Sequence, residues 1–431
     1  MEDQASPQPA PGAAARQIYG IGARLLREKR FDEAAAAFEA ALALEPEYAD
    51  AHNDLGITHQ RSGRVEEAMA AYRRAAAINP GHAKAHSNLG AAHMDRNEPD
   101  LAIAAYRRSL EINRFQPKVV TNLAFAQLLR GDLLAGWRNY EVRWAAGATR
   151  HQRALPGKTW LGERPLRGRS ILLCSEQGFG DMMQFARFVP LVAALGARVH
   201  LEAKQPLQRL FRASFPEVEA VHVFGAPVPE CDEYTTVPSL PMAFATELAT
   251  VPARVPYLRA PERWPAALAA MLPRPPLARI GIAWSGDPLH HNDGNRSIPF
   301  KRFRSLIEGA ARPFISLQKE VREIDRVVLA ATPAVTNFAR QIRDFADTAA
   351  LIGEVDLVIA VDTSVAHLAG ALGKPVWLLL PFAPDWRWLL ERSDSPWYPT
   401  MRLFRQPRPG DWDAVFASVQ AELNALFPSH S

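Results

Sequence analysis

The chain has 431 residues, 48% hydrophobic and 22% charged, an ordinary globular balance with length for two to three domains. Fifty Lys and Arg against 46 Asp and Glu leave a formal charge of +4, too thin a surplus for nucleic acid to be the main partner. The two cysteines, Cys174 and Cys231, are far apart and have no C-x-x-C spacing, which argues against a disulfide framework or a zinc site and for plain buried thiols.

The start, M-E-D-Q-A-S, has no basic cluster and no apolar run, so it does not read as a signal peptide. Residues 1–15 are rich in Pro, Ala and Gln and read as a disordered tail. The richest apolar stretch, Val355 to Phe382, is interrupted by Asp356, Asp362, His367 and Lys374, so no transmembrane segment is expected. A cytoplasmic location fits this reading.

From residue 16 to about 150 the chain repeats itself. Gly22, Gly56 and Gly90 are 34 residues apart, and Ala34, Ala68 and Ala102 keep the same period. So do Phe38, Tyr72, Tyr106 and Tyr140, while Pro46 and Pro80 close the first two units. Three registers at one period indicate stacked helical hairpins. The small residues let two antiparallel helices approach, and the aromatic one turn beyond the alanine is expected to fill the gap to the next unit. These residues resemble the tetratricopeptide repeat family. Such arrays present a concave surface that holds a peptide or protein. Asn53, Asn88 and Asn122 recur near the repeat period and are the candidate groove residues; the alternative is that they only satisfy backbone groups between repeats.

From about Ser170 the pattern changes to short apolar runs alternating with helical segments. Strands are expected at 171–174, 199–202 and 218–224, with helices at 182–195 and 206–214. After a Pro-rich linker around 261–276, strands are expected again at 280–284, 314–317, 357–361 and 375–380, with a helix at 364–372. Alternation of this kind implies parallel sheets. Two lobes result, 151–262 and 263–431, facing each other across a cleft in a double-Rossmann arrangement. Ligands bind such sheets beyond the carboxyl ends of the strands.

Two motifs sit at those ends. G-F-G-D at 178–181 follows a strand and opens a helix. Gly178 and Gly180 would let the backbone turn and approach a ligand, and Asp181 is placed to accept a proton or simply to cap the helix. D-T-S-V-A-H at 362–367 puts an acid and two hydroxyls at a helix start. Thr363, Ser364 and the backbone at Val365 form a diphosphate cradle, Asp362 is suited to sugar hydroxyls, and His367 either orients the motif or is a satisfied buried histidine. Arg296, in the loop H-N-D-G-N-R-S at 291–297, can close over a phosphate. Lys319, beside Gln318 at another strand end, is a second phosphate candidate or a surface charge. Trp386, Trp388, Trp397 and Tyr398 either stack a base or pack the rim.

The set Gly178-Phe179-Gly180-Asp181, Gln318-Lys319 and Asp362-Thr363-Ser364-Val365-Ala366-His367-Leu368 resembles the ADP-heptose:lipopolysaccharide heptosyltransferase family. More closely, the chain looks like bacterial tetratricopeptide proteins with a heptosyltransferase-like C-terminal domain, over about residues 155–428. The resemblance implies a glycosyltransferase-B fold and an inverting, metal-independent sugar transfer from a nucleotide-diphosphate sugar, with no other cofactor. It implies Asp181 as general base, Arg296 in place of a phosphate-binding lysine, Thr363, Ser364 and Val365 at the diphosphate, and Asp362 at the donor sugar. Gln184 stands where the family often has a histidine, and Ser364 where it often has a glycine. The expected fold is thus an α superhelical tetratricopeptide (TPR) array followed by an α/β double-Rossmann glycosyltransferase-B fold. The expected function is glycosyl transfer to an acceptor, with a protein held by the TPR groove as the candidate. The alternative is a non-catalytic TPR adaptor with a degenerate nucleotide-sugar-binding domain.

Overall fold

The computed structural model describes residues 12–144, 157–272, 278–290, 292–310 and 312–427. The chain divides into two compact units, Met1–Ala148 and Thr149–Ser431. The expected boundary at 150/151 and most of the expected tail lie outside the described residues. The tail reading is corrected at its end: the first helix already begins at Ala13, and Ala15 is buried.

Among the described residues the first unit has eight α-helices: α1 (Ala13–Arg27), α2 (Phe31–Leu44), α3 (Ala49–Arg61), α4 (Val65–Ile78), α5 (Ala83–Asp95), α6 (Pro99–Ile112), α7 (Pro117–Arg130) and α8 (Leu133–Tyr140). Pro46 and Pro80 follow the ends of α2 and α4, as a residue without an N–H should. The aromatic register does something other than expected. Each ring lies first on the glycine of its own hairpin. A Cβ on Gly22 would come within 2.8 Å of Phe38, on Gly56 within 2.5 Å of Tyr72, and on Gly90 within 2.7 Å of Tyr106. The same clusters then reach the next hairpin, through Leu55 beside Phe38 and Ala92 beside Tyr72. The glycine and the aromatic are therefore one packing device, in which the missing side chain on one helix is filled by the ring of its partner.

The second unit holds two parallel sheets. The first contains β1 (Lys158–Thr159), β2 (Ser170–Cys174), β3 (Arg198–Ala203), β4 (Ala220–Val223) and β5 (Glu233–Thr236), in spatial order β1-β5-β2-β3-β4. The second contains β6 (Ile280–Ala283), β7 (Phe314–Ser316), β8 (Val335–Asn337), β9 (Leu357–Val361), β10 (Val376–Leu380) and β11 (Met401–Arg405), in order β11-β10-β9-β6-β7-β8. Their helices are α9 (Phe179–Phe185), α10 (Val189–Ala194), α11 (Gln208–Ser214), α12 (Leu240–Ala243), α13 (Ala266–Ala269), α14 (Asp293–Arg296), α15 (Phe300–Ala310), α16 (Glu323–Ala330), α17 (Phe345–Gly353), α18 (Ser364–Ala371) and α19 (Trp412–Leu426). The central strands β2, β6, β9 and β10 are buried throughout, as parallel strands covered on both faces must be.

In each sheet the chain winds outward from one strand and returns on its other side, so the order reverses between β2 and β5 and between β6 and β9. Crevices open beyond the carboxyl ends at such points.

Four strands were not expected. β5 is charged at its start, and its buried Glu233 is neutralised by Arg164 at 2.6 Å and Arg169 at 2.9 Å. β1 and β8 are only two and three residues long. β11, M-R-L-F-R, is a half-polar edge strand. The helix expected over 182–195 is broken into α9, a 3-10 turn at Ala186–Phe188 and α10. Pro190 has no N–H to give the preceding turn. Cys174 and Cys231 are both buried and unbridged, in one cluster with Leu172. Among the described residues no helix is long and apolar enough to cross a membrane.

Candidate functional site

Asn53 on α3, Asn88 on α5 and Asn122 on α7 line one groove of about 640 Å³ in the helical unit, with Lys84, Lys118 and Gln116. The first two form a ladder: Asn88 donates to Asn53 Oδ1 at 2.9 Å, and Asn53 donates to Asp54 Oδ1 at 2.9 Å. Asn53 is buried while Asn88 and Asn122 are half-buried. All three asparagines line the groove, and the bonds of the first two go to side chains and not to backbone groups.

In the second unit, β2 runs into the loop before α9 and β9 into the loop before α18. The tight turn after β2 is made by Gln177, whose φ is +64°, and not by a glycine. Gly178 and Gly180 have ordinary backbone angles, which corrects the expected reason for them. Gly180 is needed for contact: a Cβ there would lie 2.8 Å from His367 Cδ2. Asp181 accepts the Gly178 N–H at 2.8 Å through Oδ2, so it does cap its helix. Its Oδ1 is ion-paired with Arg387, from the loop after β10.

On the opposite side Thr363 caps α18, its hydroxyl accepting the Val365 N–H at 3.2 Å. Part of the expected anion cradle is therefore satisfied internally, while Ser364 remains half-buried at the helix start. Asp362 is held by its surroundings. Burial first, and the Asp385 carboxylate second, raise its carboxyl well above the usual range, against the hydrogen bond from Trp388 and the pull of Arg296 and Arg387. His367 is 5% exposed, stacks on Trp388 and shares a 2.9 Å hydrogen bond with the Tyr398 hydroxyl. Burial, then Arg387, Arg187 and Arg296, push its pKa well below the usual value, so the ring is neutral near pH 7. It lies 3.8 Å from Asp362.

Arg296 meets the motif as well: its Nη1 donates to the Asp362 carbonyl at 2.9 Å, and Gly286 makes room for its guanidinium. Lys319 does not join it. Its ammonium donates to the carbonyls of Ile342 at 3.0 Å and Arg343 at 2.7 Å, tying down the loop before α17. Two of its three donors are thus spent, and the phosphate reading of Lys319 is corrected. Trp386, Trp388, Trp397 and Tyr398 are all buried, which makes them packing residues and not a base platform.

Three arginines sew the lobes together. Arg387 gives Nε to Gln184, Nη2 to Asp181 and Nη1 to Asp385, the last at 2.8 Å. Arg187, 3% exposed, donates to the Gln184 carbonyl at 2.7 Å, the Trp397 carbonyl at 2.5 Å and the Tyr257 hydroxyl at 3.0 Å. Arg209 of α11 binds Asp344 and Asp347 beside α17, each at 3.1 Å. The two strand-end motifs therefore do come together from separate sheets, with Arg387 between them.

The tetratricopeptide repeat family matches residues 25–87 and again residues 83–115. The N-terminal unit carries tetratricopeptide repeats. Protein FlbA of Caulobacter vibrioides is 29% identical over 324 residues, covering 69% of this chain and 53% of FlbA. The chain thus spans about half the length of that curated relative. The match is longer than either unit, so it takes in residues of both. Among solved structures, MamA of Desulfovibrio magneticus RS-1 is 18% identical, covering 31% of this chain and 76% of MamA at a TM-score of 0.29. The type III secretion chaperone SycD of Yersinia enterocolitica, in complex with a peptide of the translocator YopD, is 16% identical. It covers 27% of this chain and 95% of SycD at a TM-score of 0.26.

Sequence reasoning missed Arg387 and Arg187, and it noted Gln184 only as a departure from the heptosyltransferase pattern. Neither arginine belongs to a motif with a chemical spacing. The available signal was compositional: Asp385-Trp386-Arg387-Trp388 places an acid and a cation among aromatics directly after an apolar strand, where an arginine is costly unless paired.

Proposed function

We propose that this protein is a glycosyltransferase that takes a sugar from a nucleotide-diphosphate sugar and passes it to an acceptor brought in by the repeat array. In this reading the second unit is a double-Rossmann, glycosyltransferase-B arrangement. One observation supports it: Asp181, on the helix after β2, is ion-paired with Arg387 from the loop after β10, and its neighbour Gly180 packs on His367 of the D-T-S-V-A-H motif, whose Asp362 carbonyl takes Arg296. The acceptor oxygen forms a bond to the anomeric carbon as the bond from that carbon to the diphosphate oxygen breaks. The acceptor proton goes to Asp181, and the bonding pair leaves on the diphosphate. Arg296, Arg387 and the start of α18 are suited to offset that charge, and holding both substrates in one crevice removes much of the entropic barrier. His367 and Asp362 orient the donor sugar.

The groove around Asn53, Asn88 and Asn122 supports a protein or peptide partner for the repeats, since amide side chains along a concave helical face bind extended backbone. A non-catalytic adaptor is the second reading. It is favoured by the ion pair that already engages Asp181. A thermal-shift screen of UDP-, GDP-, ADP- and CMP-sugars separates the two from a lobe with no ligand at all. A donor that stabilises the protein and is then consumed in the presence of acceptor supports transfer. Stabilisation without turnover supports the adaptor, and no shift with any donor sinks both.

A further inference from the structure

Arg387 joins the G-F-G-D motif to the loop after β10. It is 8% exposed, and its three donor edges are distributed between lobes: Gln184 and Asp181 on one side, Asp385 on the other. The Trp386 ring flanks the guanidinium at 4.3 Å. Asp385 also accepts the Arg387 backbone N–H at 3.0 Å, so the base of the side chain is fixed while its far edge reaches Asp181. Beside it Gln184, whose Oε1 accepts from Arg387, has an Nε2 with no partner among the described residues, as has the Nε of Arg296, whose Nη1 holds the Asp362 carbonyl. Gln184 is wholly buried. A buried, unmatched amide beside a paired guanidinium suits a polar guest.

A guanidinium pairs with phosphate through the same planar fork it uses for carboxylate, and a diphosphate brings more charge than one carboxylate. The edge that serves Asp181 cannot serve both at once. We propose that Arg387 is an exchange cation, paired with Asp181 before a ligand docks and passed to the diphosphate of the nucleotide sugar when it does, which releases Asp181 for the acceptor hydroxyl. This rests on the transferase reading above. It adds that donor binding and availability of the base are coupled, so the acid is freed only in a loaded cleft. One ion pair breaks and another forms, with no atom transferred.

The coupling is measurable without turnover. Full-length wild type, Asp181→Asn, Arg387→Gln and the double variant are titrated calorimetrically with ADP, UDP and GDP. Removing the competing carboxylate should tighten nucleoside-diphosphate binding on the order of tenfold. Removing the guanidinium should weaken it on a similar scale, and the gain from Asp181→Asn should vanish in the double variant. Arg387→Lys keeps the charge without the fork and is used if Arg387→Gln does not fold. Wild-type binding that Asp181→Asn leaves unchanged or weakens overturns the exchange while the transferase reading stands. A gain that persists without the arginine overturns it too. No binding by any of the proteins removes the underlying reading and the exchange with it.

Discussion

The edge of the His367 ring fills the space that a side chain at residue 180 would need, at 2.8 Å from the position of a Cβ. Gly180 opens a helix of the first sheet and His367 belongs to a helix of the second, so this contact decides how closely the two strand-end motifs approach. The ring is not free to retreat, because Tyr398 holds its Nδ1 and Trp388 covers its face. Gly180→Ala should therefore cost about 1–3 kcal/mol by overpacking, visible as a lower melting temperature of the second unit. His367→Ala in the same chain should recover part of that loss. An alanine at 180 that leaves the melting temperature unchanged would show that the motifs are held apart.

The seam between the lobes has its own acid limit. Burial tends to raise the Asp347 carboxyl, but the hydrogen bonds from Arg343 and Arg209 prevail and hold it at about 2, below its ordinary 3.8. A lowered folded-state value means that the stabilisation is complete above the unfolded pKa and is lost as pH falls from about 4 towards 2. Asp347→Asn should destabilise the second unit by about 1–2 kcal/mol at pH 7, after allowance for the exposed Arg343 partner. The difference between variant and wild type should close on acidification. Urea denaturation at pH 7 and pH 3 reads this directly, and a gap that widens at low pH would contradict the assigned pairing.

Much of this architecture was readable from residue order. The 34-residue period fixed the helical hairpins because glycine and aromatic must recur together for each pair to pack. The strands carrying both motifs were also legible, since a strand buried on both faces writes itself as an unbroken apolar run, as in Leu357–Val361. β5 was not, because its first residue is a glutamate whose two arginine partners come from distant segments. The site was half legible. Asp181 and Asp362 sit near strand ends and Arg296 in a glycine- and asparagine-rich segment, all with chemically telling neighbours, whereas Arg387 acts through contacts that span more than 200 positions in sequence. Lys319 shows the reverse error: a cation at a strand end looked available, and local carbonyls had claimed it.

The hairpins yield a prediction of opposite signs. Gly56→Ala gains about 1 kcal/mol of helix propensity but drives a Cβ to 2.5 Å from the Tyr72 ring, which is wholly buried and anchored through its hydroxyl to Gln60 at 2.8 Å. Overpacking of about 1–3 kcal/mol should prevail, and the repeat unit should melt earlier. Gly20→Ala has nothing within 4 Å, so only the propensity gain of up to about 1 kcal/mol remains, and the unit should melt later. Circular dichroism melts of the two variants suffice, and equal shifts would refute the ring-on-glycine arrangement.

The two units should separate functionally. Asn88→Ala removes the donor to Asn53 and a groove-lining amide, at a cost of about 1 kcal/mol in stability. It should weaken capture of the repeat partner while leaving nucleoside-diphosphate binding by the second unit unaltered. Pull-down from cell extract, alongside a nucleotide titration of the same preparation, tests both halves. Loss of nucleotide binding in this variant would mean that the units do not act independently.

The most direct test is transfer itself. Purified protein is incubated with the nucleotide-diphosphate sugar that most raises its melting temperature and with acceptor captured on the repeats, and released nucleoside diphosphate is measured for wild type and Asp181→Asn. The account predicts release by wild type and a loss of about 100-fold or more in the variant, the range expected when a general base is removed. Equal release by both proteins, or none by either, would contradict it.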